Sequence, residues 1–233
     1  MGTLDPSLVD GMPPFADLTP ADLDFVLSLA KPVRYPKGTA VFAQGGTADS
    51  FFVLLHGHLQ VVKLTPEGRQ VVLRYVSPGE MFGIAVQTGR AAYPATAVAV
   101  ADSIALAWPS DCWPALLTRC PALAAGIMRT VGSRLDEAHL RVVEMSTQEV
   151  ERRVAHALVR LVRQAGRPVG EGIRIDFPIT REDVAQMTGT TLHTVSRILS
   201  SWEQQGLVES GRQRIVVRDP DRLFALAERD GAR

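Results

Sequence analysis

Four side chains near the C-terminal end, Leu192, His193, Ser196 and Arg197, combine types that read base edges in duplex DNA. An arginine guanidinium donates paired hydrogen bonds to guanine O6 and N7, a match worth about 1–3 kcal/mol of discrimination. A serine hydroxyl bonds a base or a phosphate, a histidine donates or accepts at a base edge, and a leucine packs on a thymine methyl. On a helix these positions share one side, while Val195, Ile198, Leu199 and Trp202 share the other. The apolar set can then be buried without using the polar one.

The segment ITREDVAQMTGTTLHTVSRILSSWEQQGLV supplies the elements that would hold this face outward. Thr180 predicts an N-cap with Asp183 three residues on, and Ile179 and Val184 can staple the same helix. Ala185 allows close approach of a second helix, Gly189 suits a tight turn with positive φ, and Val195 and Ile198 lock the pair. The second helix, about 191–203 with Thr191 at its start, is the element expected in a major groove. Thr180 and Arg181 stand where helix N–H groups favour a phosphate. Short strands are expected at 173–177 and 214–218, which makes the unit a winged helix-turn-helix. Arg212 and Arg214 in the following hairpin are further phosphate candidates, equally readable as surface charge.

Upstream, Leu18-Thr19-Pro20-Ala21-Asp22-Leu23 carries helix-start chemistry for a helix over about 20–30. From Val33 to Trp108 the chain alternates short apolar runs with glycines, as in SFFVLLHG, LQVVKL and QVVLRYV, which predicts an all-β sandwich or barrel. After Pro114 the period becomes helical. Ala124, Met128, Val131, Leu135, Ala138, Val142 and Met145 recur at alternating spacings of four and three, a seam that normally faces another helix. Met128, Val131, Leu135, Ala138, Val142 and Met145 are therefore the expected homodimer interface, although such a stripe can also be buried within its own domain.

Composition fits this plan. Apolar residues make up 46% and charged residues 21% of 233, ordinary for a folded chain of two modest domains. No apolar run approaches the roughly 20 residues that span a bilayer, and the N-terminus lacks the pattern of a signal peptide, so no membrane role and a cytoplasmic location are expected. Cys112 and Cys120 read as free thiols. Net charge is zero, with fourteen Arg and no Lys against twelve acids in residues 146–233 (+2), so local placement of charge has to decide binding. No serine, cysteine or carboxylate constellation points to catalysis.

On TREDVAQMTGTTLHTVSRIL, and on glycine-spaced strands ending in PGEMFG, residues 15–220 resemble the CRP/FNR family of bacterial transcription regulators. The resemblance implies an α+β chain with an N-terminal double-stranded β-helix (jelly-roll) sensor domain over 1–120, a dimerisation helix over 121–145 and the winged helix-turn-helix over 146–233. It also implies a homodimer on a pseudo-palindromic operator in double-stranded DNA, contact with RNA polymerase, and a small-molecule or gaseous effector. Members that bind cyclic AMP carry Gly-Glu, then an Arg-Ser or Arg-Thr pair. Here Phe82-Gly83 is followed by Ile84, and Tyr93-Pro94 replaces the cation, so a buried phosphate would lack its partner. That argues against cyclic AMP and suggests an apolar effector pocket of Phe82, Gly83, Ile84, Tyr93 and Pro94, bordered by Ala138 and His139 of the long helix. YPATA and the TPEG hairpin resemble the nitric-oxide-responsive branch. The family's recognition-helix glutamate is His193 here.

Three readings stay open beside the regulator. His139 could contact a haem or small ligand. The chain could be a ligand-binding regulatory module without DNA activity. His56 and His58 have the spacing of a cupin metal site, but the further carboxylate and histidine of a cupin are missing, and a solvent-facing turn around Gly57 is expected instead.

Overall fold

The computed structural model describes residues 4–228. By its contacts the chain divides into one compact unit of residues 1–68 and 73–138, and a second of 69–72 and 139–233.

In the first unit, helix α1 (Pro20–Ser28) starts on Thr19, whose hydroxyl accepts from the Asp22 backbone N–H at 3.2 Å. Eight strands follow: β1 (Lys31–Tyr35), β2 (Ala40–Phe42), β3 (Ser50–His56), β4 (Leu59–Leu64), β5 (Gln70–Val76), β6 (Met81–Phe82), β7 (Thr96–Ala99) and β8 (Ser103–Pro109). They form two four-stranded sheets, β1-β8-β3-β6 and β2-β7-β4-β5, and every pairing given for them is antiparallel. Side chains alternate across a strand, so β3 sends Phe52 and Leu54 between the sheets and Phe51 and Val53 to the opposite face. That opposite face is covered by α1, by α2 (Trp113–Arg119) and by the start of α3 (Pro121–Thr147). The first sheet is thus buried on both sides, which explains why SFFVLL is apolar without alternation. Trp108 anchors this layer: its indole N–H donates to the Val26 carbonyl at 2.8 Å, and its ring stacks on Phe51 at 5.5 Å.

The space between the sheets is filled by aromatic rings. Phe42 stacks on Tyr93 at 3.9 Å, and Phe52 on Phe82 at 5.0 Å. Gly83 is what lets this stack close. Its φ is 68°, and a Cβ there would lie 2.8 Å from the Phe52 ring.

Histidine placement departs from the expected turn. His56 is exposed at the end of β3, but His58 is buried after Gly57, which puts the two side chains in different environments.

In the second unit, α4 (Val150–Ala165) packs Val154, Ala155, Ala157, Leu158 and Leu161 inward. Then come β9 (Gly166–Val169), β10 (Gly172–Ile175), α5 (Arg181–Thr188), α6 (Leu192–Gln204), β11 (Val208–Gly211), β12 (Arg214–Val217) and α7 (Pro220–Glu228). The sheet order is β11-β12-β10-β9, antiparallel throughout. Strand β9, strand β11 and helix α7 add to what the sequence pattern predicted.

Candidate nucleic-acid interface

Helix α5 begins with a reciprocal cap. The Thr180 hydroxyl accepts from the Asp183 N–H at 3.0 Å, while Asp183 Oδ2 accepts from the Thr180 N–H at 2.8 Å and from its hydroxyl at 2.7 Å. The helix ends at Gly189, whose φ of 62° turns the chain into α6. Thr191 caps α6 by accepting from the Thr194 N–H at 3.1 Å. Val195, Ile198, Leu199 and Trp202 are buried, roughly 1.5–3 kcal/mol for each large apolar side chain. Trp202 also donates its indole N–H to Glu151 at 2.8 Å, tying α6 to α4.

The opposite side of α6 is open. Leu192 (47% exposed), His193 and Arg197 are exposed and Ser196 is half-buried, so the four predicted readers do emerge together from one helix face. Ser200 and Gln204 extend the His193–Arg197 stripe at helical spacing. They escaped the sequence reading because serine and glutamine are also common on surfaces that contact nothing.

Arginine pairing separates the cations of this unit into two classes. Arg153, Arg160, Arg167, Arg174, Arg214, Arg218 and Arg222 bond carbonyls or side-chain oxygens within the unit, Arg152 reaches the Ala227 carbonyl, and Arg163 lies over the Phe224 ring. Arg181, expected on a phosphate, instead donates to Ser210 Oγ at 2.6 Å and lies 3.5 Å from Glu203. Of the described arginines of this unit, Arg197 and Arg212 have no side-chain hydrogen bond, ion pair or ring contact. The first projects from α6 and the second from the β11–β12 turn, where Gln213 takes a φ of 58° and its carbonyl accepts from the Ile179 N–H. Thr180 spends its hydroxyl hydrogen on Asp183, so that hydroxyl can donate to no phosphate while the cap holds.

These features match known proteins along most of the chain. Residues 152–226 match the model of the Crp-like helix-turn-helix domain, and residues 32–120 that of the cyclic nucleotide-binding domain. The chain is 31% identical over 217 residues to the Cyclic AMP receptor protein of Thermus thermophilus, covering 93% of this chain and 97% of that one. This protein belongs to the CRP/FNR family of transcription regulators. It is 26% identical to the nitrogen fixation regulation protein FixK of Bradyrhizobium diazoefficiens, over 91% of this chain and 88% of that one. The solved structure of FixK2 from Bradyrhizobium japonicum shares the fold with a TM-score of 0.75 at 23% identity, over 87% of this chain and 99% of that one. The protein is accordingly a DNA-binding transcription regulator, of a family in which homodimers are typical and whose members are not enzymes.

The expected effector pocket does not assemble as one wall. Phe82 and Tyr93 lie between the sheets, but Ile84 packs with the cluster on the helix-covered face and Pro94 is exposed. The reason is strand alternation broken at Gly83, which turns Ile84 away from Phe82. Ala138 and His139 are both exposed on α3. The Tyr93 hydroxyl donates to the Ser50 carbonyl at 2.6 Å and accepts from the Ser50 N–H at 3.1 Å, and burial pushes its pKa up to about 12. The Asp49 carboxylate lies against Tyr93 and also raises its pKa. Ile84, Tyr93 and Pro94 bring no charge of their own to the ribose or phosphate of a cyclic nucleotide. Among the described residues no group of His, Cys, Asp or Glu could hold a metal ion, and no helix is long and apolar enough to cross a membrane.

The predicted seam of α3 is uncovered. Met128 is 68% exposed, Leu135 54%, Val142 63% and Met145 54%, with Ala138 exposed and Val131 half-buried among them.

Proposed function

We propose that two copies of this chain join along the Met128–Met145 stripe and set their α6 helices into successive major-groove segments of a pseudo-palindromic operator. Arg197, His193, Ser196 and Leu192 meet base edges. Arg212 meets the backbone from the wing, and Thr191 and the N–H groups that open α5 flank it. The observation that carries this reading is that Arg197 stands unpaired on the outward side of α6, beside His193 and Leu192, while Val195, Ile198, Leu199 and Trp202 bury the other side. Bound there, the dimer acts in the cytoplasm by helping or blocking RNA polymerase, and it has no catalytic role. Its effector is not a cyclic nucleotide held by ribose and phosphate, since Ile84 and Tyr93-Pro94 stand where cyclic-AMP binders of the family carry Glu and Arg.

Mobility shift with genomic fragments tests the reading. The wild-type protein should retard a discrete set of fragments, and Arg197→Ala should abolish the specific shift while leaving the size of the dimer unchanged. A variant that retards the same fragments as tightly as wild type refutes the assignment of α6.

A further inference from the structure

The end of the α3 stripe and the start of α6 are distant in sequence but meet at one corner of the second unit. Residues 139–147 of α3 belong to the same compact unit as α4, α5 and α6. Met145, at the end of the stripe, has its methyl 2.6 Å from where a Cβ of Gly189 would stand, in the turn that feeds α6. Glu144, buried one residue earlier, is held to α4 by Arg160 at 2.6 and 2.9 Å.

Arg153 of α4 closes this corner. Its Nη1 donates to the carbonyl of Gln148, between α3 and α4, at 3.0 Å. Its Nε donates to the carbonyl of Thr188, the final residue of α5, at 3.1 Å. The last carbonyls of a helix have no partner within it, and a cation there also faces the negative end of the helix. A guanidinium is a rigid plane, so bonds from two of its nitrogens fix both the distance and the angle between the elements they join. A lysine in its place would keep the charge and lose the plane.

We propose that Arg153 is a positioning residue that sets the distance between the operator half-sites the dimer accepts. It locks the turn before α6 to the end of the α3 stripe, so the two α6 helices of a dimer are presented at one fixed separation. This rests on the proposed dimer along α3 and on the use of α6 in the groove. Spacing reports on such a lock because one base pair moves a half-site by about 3.4 Å and turns it by about 35°. A stiff pair of helices cannot follow that change, and a loosened pair can.

The full-length protein first selects its operator from a random duplex pool. The selected site is then rebuilt with one base pair added or removed at its centre, and as a single half-site. Wild-type affinity should fall at least about tenfold on either altered spacing. In Arg153→Lys that penalty should shrink to about threefold or less, while affinity for the half-site stays within about twofold of wild type. Glu144→Gln loosens the same corner through Arg160 and should reduce the penalty in the same direction, so a fold failure in one variant leaves the other to decide. Thermal midpoints and sedimentation establish that each variant is folded and dimeric.

A wild-type penalty retained in the folded variants overturns the inference. So does a loss of affinity equal on the half-site and on every spacing, which marks a structural role alone, and so does a wild type indifferent to spacing. In each of these cases α6 remains the reader. A pool that yields no enriched duplex overturns the function reading, and this inference with it.

Discussion

His156 lies on α4 with its Nδ1 3.8 Å from Glu144 of α3, and Glu144 is gripped at 2.6 and 2.9 Å by one guanidinium nitrogen of Arg160. Burial holds the imidazole pKa below its ordinary value. Glu144 pulls it up, Arg160 and Arg152 push it down, and a hydrogen bond with the Ala227 backbone of α7 pulls it up again. In the unfolded chain the group regains a pKa near 6.5, so acid protonates the unfolded state first. Stability of the second unit should therefore be fully present above about pH 6.5 and decline as pH falls below it. Denaturant titrations at pH 7.5 and pH 5.5 measure this, and His156→Gln should flatten the difference between them. An unchanged pH slope in that variant would assign the acid sensitivity to another group. At this same scale Arg181 and Thr180 show the reach of sequence reading. Both stand where a phosphate contact is expected, yet the partners that engage Arg181, Glu203 and Ser210, lie 22 and 29 residues away and no local pattern announces them.

Helix α6 keeps its orientation through the turn at Gly189. A Cβ at that residue would meet the Met145 methyl at 2.6 Å, and its φ of 62° is costly for any side chain. The methyl is the far end of a flexible chain and can move, so the backbone decides the outcome. Gly189→Ala should lower stability by about 1–2 kcal/mol, read as an earlier thermal midpoint. Strands and helices were legible in proportion to how strongly burial imprinted a period on them. The runs LQVVKL and QVVLRYV are β4 and β5 to the residue, and the two faces of α6 separate cleanly. Strand β9 was not legible, because GRPV carries a glycine and a proline. It exists as a sheet edge, where the missing N–H of Pro168 leaves no ladder bond unmade. Helix α7 is brief and begins on a proline, and its partner is α4, more than fifty residues upstream. The effector pocket failed for a similar reason. Ile84 follows Phe82 by two residues and would share its side of a continuing strand, but the strand stops at Phe82 and Gly83 reverses the direction.

For the molecule as a whole, the α3 stripe is the feature whose removal should separate assembly from folding. Leu135 is 54% exposed and contributes little to its own chain, so Leu135→Glu should leave the thermal midpoint within about 1 kcal/mol equivalent of wild type. Sedimentation should nevertheless report a monomer, and the shift on a full palindrome should weaken far more than the shift on a half-site. A variant that remains dimeric would place the interface elsewhere. The same economy of free charge that marks Arg197 and Arg212 also bears on the conditions under which the regulator works. With a net charge of zero and several guanidinium groups of the second unit paired to carboxylates of the same unit, the protein displaces few counterions when it docks. Its grip on chromosomal targets should thus tolerate swings in cytosolic potassium that dislodge strongly basic regulators.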